Sequence, residues 1–260
     1  MKVLSLDIDF FVDPIHTFGS LSGKRRLLSD DYHVDSEKMV DRFLQGRCGL
    51  RTTNPVRGIQ IREHVDAFFI LRELVEQGSE QIELIHIDAH ADLGLGDVGY
   101  VYLLTDLLHR TRSRRQRPRK AYRKLNSGNW VAFAAAAGWL KSLVFVPREY
   151  PPTDLMPYYF EDFAAREQRS RKFRLYAIPE DRMNALMAVR NPTKVVSTPP
   201  AESVEYKCVR RSRFRLETPP DFMIVCQSPS FTPKEADRVL GQCSAFMAIA
   251  QLSTAVGPPI

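Results

Sequence analysis

The sequence predicts a three-layer α/β/α protein built around a mainly parallel sheet. Short apolar runs rich in β-forming residues recur along the chain, and segments of helical length and pattern lie between them. Strands that alternate with helices favour a parallel sheet covered by helices on both faces. A length of 260 residues and a hydrophobic content of 44% suit a single domain over residues 1–260.

The first half of the chain supplies two strands and two helices. Residues 2–8 (KVLSLDI) form an apolar run that predicts a buried strand. The pattern at 36–45 favours a short helix, and 64–77 has the i, i+3, i+4, i+7 spacing of an amphipathic helix. Gly78 is a suitable end for that helix. Residues 81–87 (QIELIHI) then predict the second strand.

The second half continues the alternation after an irregular segment. Residues 127–141 begin as a loop and continue as an alanine-rich helix. The apolar runs at 142–147 and 222–226 predict two further strands, and 234–251 predicts a C-terminal helix. The stretch 148–220 contains many prolines and charges, and its fold is left unassigned.

The positive charge of the chain is concentrated in one segment. The formal net charge is +6, and residues 110–124 contain nine Lys or Arg and no acid. Residues 107–125 are therefore predicted to form a basic loop or insertion, either solvated or in contact with an anionic partner such as a peptide. Nucleic acid is an unlikely partner because only Tyr122 interleaves these charges and no nucleic-acid-binding motif is present.

The composition also indicates a compartment. The four cysteines form no CxxC pair and suit reduced, buried thiols. No apolar run is long enough for a membrane helix, and the N-terminal run is too short for a signal peptide. A cytoplasmic protein without a membrane partner is the expectation, and the oligomeric state is left open.

The segment IHIDAHADLG carries the strongest functional signal. Asp88, His90 and Asp92 occupy alternate positions directly after an apolar strand. Carboxylates and an imidazole that converge at the end of a strand suit Mn²⁺ or a similar divalent ion. The alternative to a metal site is an acidic turn with a structural histidine.

The segment LSLDIDFFVDP repeats this arrangement. Asp7 and Asp9 stand at the end of another buried strand, with no lysine or arginine beside them to balance their charge. Buried carboxylates need a counter-charge, and a metal ion would supply it. Because parallel strands end at the same edge of a sheet, the two acidic motifs are expected to meet there.

These two motifs resemble those of the ureohydrolases, the arginase and agmatinase superfamily. SLDID is similar to their S-x-D-x-D signature, and DAHAD matches D-A-H-x-D. The resemblance implies an arginase/deacetylase-like fold and two Mn²⁺ ions per chain. It also implies that Asp7 and Asp88 bridge the ions, that Asp92 ligates one ion, and that His90 and Asp9 ligate the other.

The family has one further histidine ligand, at the start of a helix upstream of the D-A-H motif. His64 opens the predicted helix 64–77 and lies 24 residues before Asp88. The resemblance therefore implies that His64 is the remaining ligand of the first ion. The alternative is a surface histidine at a helix N-terminus.

The chain departs from arginases in the order of its motifs. The S-x-D-x-D strand follows the D-A-H motif in arginases and precedes it here, so the strand order must be rearranged. One branch of the superfamily shares this N-terminal D-x-D strand and an SPSFTP-like segment near the C-terminus. That branch includes peptide arginases of ribosomal-peptide maturation.

The resemblance also implies substrate-binding residues. Ser127 and Asn129 belong to an S-G-N sequence like the arginase loop that holds the substrate carboxylate, although the shuttle histidine that follows in arginases is replaced by Val131. Glu37 is the candidate for binding the guanidinium group. The remaining candidates are Glu63 for the same role and His33 as the proton shuttle. The resemblance also implies that Asp92 is catalytic, because it would accept a hydrogen bond from the hydroxide while it ligates an ion.

The function implied is hydrolysis of a guanidino C–N bond. The favoured substrate is a peptidyl arginine in a ribosomally made precursor peptide, which would be converted to ornithine and urea. The precursor is the expected partner, held in part by residues 110–124. Two alternatives stay open: a hydrolase of a small guanidine or acylated amine, and a non-catalytic metal-binding regulatory protein.

Overall fold

The computed structural model of the chain describes residues 1–16, 26–78, 81–94, 97–155, 159–160, 171–182 and 202–252. Ten strands lie in this part of the chain: β1 (Lys2–Asp7), β2 (Val12–Asp13), β3 (His33–Val34), β4 (Val56–Ile61), β5 (Ile82–Asp88), β6 (Leu140–Pro147), β7 (Arg171–Phe173), β8 (Val204–Cys208), β9 (Phe222–Cys226) and β10 (Met247–Ile249). Six α-helices accompany them: α1 (Glu37–Gly46), α2 (Asp66–Glu76), α3 (Val98–Thr105), α4 (Arg112–Arg115), α5 (Trp130–Ala136) and α6 (Asp237–Ser244).

Eight of these strands form one large sheet in the order β10–β4–β9–β1–β5–β6–β8–β7. Each neighbouring pair is parallel except β7 and β8, which are antiparallel. The strands β2 and β3 form a separate antiparallel pair. The predicted mainly parallel sheet is therefore confirmed, with β1 near its centre between β9 and β5.

Apolar side chains cover both faces of the sheet. On one face, α2 and α5 pack through residues such as Phe68 and Trp130. On the other face, α1 and α6 pack through residues such as Phe43 and Val239. Successive residues of a strand point to opposite faces, and β1 accordingly sends Val3 to the first core and its next residue to the second. The result is the predicted three-layer α/β/α arrangement.

Most predicted elements are present with small shifts at their ends. The four predicted strands correspond to β1, β5, β6 and β9, and the first helix corresponds to α1. The amphipathic helix is α2, which begins at Asp66, so that His64 lies in the preceding turn. Gly78, two residues after the helix, has φ +112, a conformation that favours glycine. The alanine-rich helix is α5.

The predicted C-terminal helix 234–251 is wrong in its second half. A 3-10 turn at Lys234–Ala236 leads into α6, and the chain then forms β10 instead of continuing as a helix. The reason is tertiary packing and strand pairing. Phe246 and Met247 are buried in the core, and β10 pairs with β4, so an extended backbone satisfies hydrogen bonds that a longer helix would leave unused.

Besides β10, three strands of the sheet were not predicted. β4 (VRGIQI) alternates buried with exposed positions, and its Arg57 and Gln60 break the apolar run that would have marked it. β7 and β8 lie in the proline-rich and charged stretch that was left unassigned. Each of these strands carries polar residues on exposed positions, which weakens the signal in the sequence.

The basic stretch is partly structured. It contains a 3-10 turn at Leu107–His109, the short helix α4 and a bridge between Lys120 and Leu125. Arg112 Nη2 donates to Gly138 O at 2.7 Å. These contacts attach the segment to the helical layer formed by α2 and α5.

No described helix is long and apolar enough to cross a bilayer.

Candidate metal centre

The site lies where two neighbouring parallel strands end. β1 ends at Asp7 and β5 ends at Asp88, and because the strands pair in register the two carboxylates come together at one edge of the sheet. The six predicted metal ligands line one pocket of about 270 Å³: Asp7, Asp9, His64, Asp88, His90 and Asp92.

The first focus of the site is the imidazole of His64. Its Nδ1 lies 3.1 Å from Asp7 Oδ2, 2.9 Å from Asp88 Oδ2 and 3.1 Å from Asp92 Oδ2. Its Nε2 lies 2.8 Å from Ser5 Oγ, which fixes the orientation of the ring. Ligands that surround one ion at about 2.0–2.2 Å are about 3 Å from each other. The four atoms therefore have the spacing of ligands around a single cation.

The second focus is the imidazole of His90. Its Nδ1 lies 3.0 Å from Asp9 Oδ2 and 3.7 Å from Asp88 Oδ1. Its Nε2 lies 2.9 Å from His16 O. A carbonyl oxygen only accepts, so Nε2 carries the hydrogen, and in the neutral ring Nδ1 turns its lone pair towards the carboxylates. A lone pair and a carboxylate repel each other unless a proton or a metal cation lies between them.

The charge balance of the site supports the same interpretation. Four carboxylates are buried at the site: Asp7, Asp9, Asp88 and Asp92. No lysine or arginine is among the described residues that line the pocket. The buried His64 Nδ1 and Asp88 Oδ2 have no hydrogen-bond partner among the described residues. Uncompensated buried charges and orphaned polar atoms are costly. The residues therefore fit a divalent cation that prefers carboxylate and imidazole ligands.

Residues around the ligands hold them in place. Trp130 Nε1 donates to Asp92 Oδ2 at 2.7 Å, and Ser228 Oγ donates to Asp7 Oδ2. Asp92 and Ser228 also have positive φ angles, 50 and 43 degrees, which are uncommon outside glycine. Backbone strain of this kind persists where the surrounding structure enforces it, and it is concentrated at functional sites.

Burial and mutual repulsion shift the pKa values of the ligands. Burial, reinforced by the charge of Asp88, raises the pKa of Asp92 to about 7. Burial and the charge of Asp7 raise the pKa of Asp9 well above its usual range. For His90, burial opposes protonation, but hydrogen bonds to Asp88 and Asp9 outweigh it and raise the pKa of the imidazole. Without a cation the site retains protons that a metal ion would displace.

His86, a residue of β5, lies behind the candidate ligands. It is fully buried, its Nε2 lies 3.1 Å from His90 O, and burial lowers the pKa of its imidazole to about 4. His86 is therefore neutral at physiological pH. Its Nε2 is also 3.5 Å from Asp88 Oδ2, so it packs directly against a predicted ligand.

One acidic residue of the pocket was missed by the sequence analysis. Asp154 lines the pocket, and its Oδ2 accepts a hydrogen bond from Ala91 N at 2.5 Å. Its buried Oδ1 has no partner among the described residues. The segment around it matches no motif. The one available signal was its position after β6, a strand that neighbours β5 and ends at the same edge of the sheet.

Of the two predicted S-G-N residues, the structure brings only one to the pocket. Ser127 lines the pocket, and its Oγ accepts a hydrogen bond from Val65 N at 3.2 Å. Asn129 is buried, and its amide is occupied within the loop: it accepts from Asn126 N at 2.9 Å and donates to Lys124 O at 2.6 Å. Asn129 thus stabilises the loop, and the structure does not support a substrate contact.

Three other predicted residues lie outside the pocket. Glu37 is exposed in the first turn of α1, and His33 is exposed on β3. Glu63 is partly buried beside His64 but is not among the lining residues. Their positions do not support guanidinium binding by Glu37 or Glu63, or proton transfer by His33. Val131, at the position of the arginase shuttle, is fully buried in α5.

Comparison of the chain with models of known protein families, with characterised proteins and with solved structures gives no significant match.

Proposed function

We propose that this chain is a dinuclear, manganese-dependent hydrolase of the ureohydrolase superfamily that cleaves the guanidino C–N bond of a peptidyl arginine. Urea would leave, and ornithine would remain in the peptide. The observation that carries the proposal is the convergence of two imidazole Nδ1 atoms on four buried carboxylates, in a pocket with no lysine or arginine among its described lining residues. The three-layer α/β/α fold with a parallel sheet is compatible with an arginase-like architecture.

The proposed ligand sets follow the two foci of the site. One ion would be held by His64, Asp92, Asp7 and Asp88, and the other by His90, Asp9 and the two shared acids. The carboxylate of Asp88 suits a shared role because its Oδ2 faces His64 while its Oδ1 is nearer to His90. When bound, a pair of divalent ions lowers the pKa of water and supplies a nucleophile at neutral pH.

The substrate would be held by the walls of the pocket. Its volume of about 270 Å³ lies near the lower end of the usual range for small-molecule pockets, about 300–1,000 Å³, and suits a small group such as a guanidinium. A guanidinium group is cationic and rich in donors. Asp154 supports this assignment because its buried Oδ1 lacks a donor that the guanidinium would provide. We therefore assign guanidinium binding to Asp154 in place of Glu37.

Proton transfer to the leaving amine would fall to a carboxylate. Among the described lining residues, the only imidazoles are those of His64 and His90, which are committed to the ions. Asp92 would ligate one ion and would also accept a hydrogen bond from the attacking water, as the resemblance to the ureohydrolases implies. Trp130 Nε1 donates a hydrogen bond to Asp92 Oδ2, and this contact fixes the orientation of the Asp92 carboxylate.

Metal analysis tests the core of the proposal. Protein purified with Mn²⁺ is expected to carry about two ions per chain, and Asp88→Asn should reduce this to fewer than about one, because the shared ligand is lost. The control is Asp30→Asn, an exposed aspartate that does not line the pocket. Equal metal content in wild type and Asp88→Asn would contradict the site.

Substrate assays then separate the chemical alternatives. The metal-loaded protein is incubated with arginine-containing peptides and with free arginine, and products are followed by a urea assay and mass spectrometry. Urea together with an ornithine-containing peptide is the expected result. Urea from free arginine alone would contradict the peptide substrate. A fully loaded protein that releases no urea from either would favour an acylated-amine hydrolase or a non-catalytic metal-binding protein.

A further inference from the structure

A second pocket, of about 380 Å³, lies between α1 and the segments that follow β6 and β8. Five arginines line it: Arg42, Arg47, Arg148, Arg210 and Arg211. None of them lines the candidate metal centre, and none belongs to the basic stretch 110–124. The fold thus creates a second concentration of positive charge from residues that are scattered along the chain.

Two of these arginines form the rigid floor of the pocket. Arg148 Nη1 and Arg211 Nη2 both donate to Asp35 Oδ2, at 2.9 and 2.6 Å. The guanidinium of Arg211 also lies over the rings of Phe10 and Phe43, at 4.9 and 5.3 Å from their centroids. Aromatic faces and a shared carboxylate fix both side chains. One carboxylate, however, balances only one of the two charges.

The other three arginines have no acidic partner in the part of the chain that the structure describes. Among the described residues, no carboxylate lies within ion-pair distance of Arg42, Arg47 or Arg210. Arg210 instead lies over the ring of Tyr150, 4.5 Å from its centroid. Five guanidinium groups therefore line a pocket in which Asp35 supplies the one carboxylate that pairs with any of them in the described structure.

The basic surface is extended. Arg42 also lines an adjoining depression that contains Arg51 and Arg215 beside a single acid, Glu217. The rim carries an exposed apolar side chain, Met39, which is 47% exposed. Guanidinium groups spread along a track with an apolar rim match a chain of carboxylates with neighbouring apolar side chains better than one compact anion.

A nucleic acid fits this surface less well. Single-stranded nucleic acid is held by aromatic faces on which its bases stack. Tyr150 is the aromatic residue beside the arginines that lack a described acidic partner, and the guanidinium of Arg210 already covers its ring. Phe43 is buried beneath Arg211. The described part of the pocket thus offers charge without an open stacking surface.

We propose that this arginine pocket docks an acidic segment of a peptide or protein partner, one that carries consecutive aspartates or glutamates. The proposal goes beyond the metal-dependent chemistry and does not depend on it. In this arrangement Arg42, Arg47 and Arg210 receive the carboxylates of the partner, and the pair formed by Arg148 and Arg211 keeps the floor of the pocket positive.

Fluorescence anisotropy with a labelled oligoglutamate at low salt tests the proposal on the full chain. The double variant Arg42→Glu/Arg210→Glu should bind the probe at least about tenfold more weakly, because charge-assisted hydrogen bonds are replaced by repulsion. The matched control is Arg117→Glu/Arg123→Glu, the same reversal in the basic stretch, which should change binding by less than about twofold. All four arginines are exposed, so the variants should fold.

Each contrary result is decisive. Weaker binding in the Arg117/Arg123 variant with unchanged binding in the Arg42/Arg210 variant would overturn the proposal and assign the probe to the basic stretch. Tighter binding of a labelled single-stranded RNA than of oligoglutamate, lost in the Arg42/Arg210 variant, would replace the acidic peptide with nucleic acid. The conservative Arg42→Lys/Arg210→Lys variant should retain most of the affinity. Binding is measured without catalysis, so its failure is distinct from failure of the proposed hydrolase.

Discussion

Asp154 is the side chain at the proposed substrate end of the candidate metal centre. Its Oδ2 is held by the backbone of Ala91, and its Oδ1 is buried without a donor in the described structure. Burial raises the pKa of Asp154, so a cation beside it would stabilise its charged form. A guanidinium group is such a cation.

Replacing Asp154 with asparagine should separate substrate binding from metal binding. Asp154→Asn is expected to keep the metal content of the wild type and to lower kcat/KM for an arginine-containing peptide by about tenfold to a hundredfold. The exposed Asp181 supplies a matched Asp181→Asn control. Metal analysis and urea release are measured side by side. Full activity in Asp154→Asn would remove this residue from the proposed mechanism.

The raised pKa of Asp92 predicts how metal affinity depends on pH. Burial and the charge of Asp88 raise the pKa of Asp92 to about 7, and hydrogen bonds to acids raise that of His90. Both groups must lose a proton before they bind an ion, so acidification opposes binding. Below about pH 7, Mn²⁺ affinity should fall by about tenfold per pH unit for each proton displaced.

Calorimetric titration with Mn²⁺ between about pH 6 and pH 8 measures this dependence. Repeating the titration in buffers of different ionisation enthalpy counts the protons that are released. Affinity that does not change over this range would show that the ligands are already deprotonated in the metal-free protein.

The candidate ligands were largely visible in the sequence, whereas their surroundings were not. Asp7, Asp88 and their neighbours stand directly after apolar runs, so local pattern was sufficient to find them. The partners of these ligands are distant in sequence: Ser228 reaches Asp7, and Trp130 reaches Asp92. Such pairs exist only after the sheet has formed, which is why no local motif indicated them.

Among the secondary-structure elements, β4 depends on one close approach. Gly58 on β4 faces β9, and a Cβ atom added there would overlap the backbone oxygen of Met223. Gly58→Ala should therefore lower the free energy of unfolding by about 1–3 kcal/mol, the usual cost of overpacking. Urea denaturation measures the change.

The same substitution at Gly46 provides the control. An added Cβ at Gly46, the last residue of α1, meets nothing within 4 Å. Gly46→Ala should leave stability unchanged or raise it slightly, since alanine has the better helix propensity. Equal unfolding midpoints for Gly46→Ala and Gly58→Ala would show that β9 can move to accommodate the methyl group.

The elements that escaped prediction share a physical cause. β4 keeps polar residues at its exposed positions, and β10 is only three residues long. Each forms because a neighbouring strand supplies its hydrogen bonds. A pattern along the chain records which residues are apolar, but it does not record which strand will lie beside them. The long apolar runs of β5 and β9 needed no such information.

For the whole molecule, metal binding should contribute to stability. The candidate centre connects β1, β5 and the turn before α2, and its four buried carboxylates repel one another without a cation. At a free Mn²⁺ concentration of about 100 times Kd, binding should add about 2.7 kcal/mol to the free energy of unfolding. Chelation with EDTA should reverse the gain.

Thermal unfolding with Mn²⁺ and with EDTA measures this effect. Asp88→Asn should show little difference between the two conditions, whereas Asp30→Asn should behave as wild type. A metal-dependent shift of equal size in Asp88→Asn would mean that the ion acts elsewhere on the protein.

The position of β9 has a consequence for the synthesis of the chain. β9 enters the middle of the sheet between β4 and β1, although it comes from residues 222–226, and the following loop donates to Asp7. While the ribosome is still adding these residues, β1 has an unpaired edge, and Asp7 Oδ2 lacks the hydrogen bond that Ser228 later donates. The support that β9 and Ser228 give to β1 and Asp7 is therefore complete only after residues 222–228 have been added. Fragments that end before β9 would leave this edge of β1 open to proteolysis.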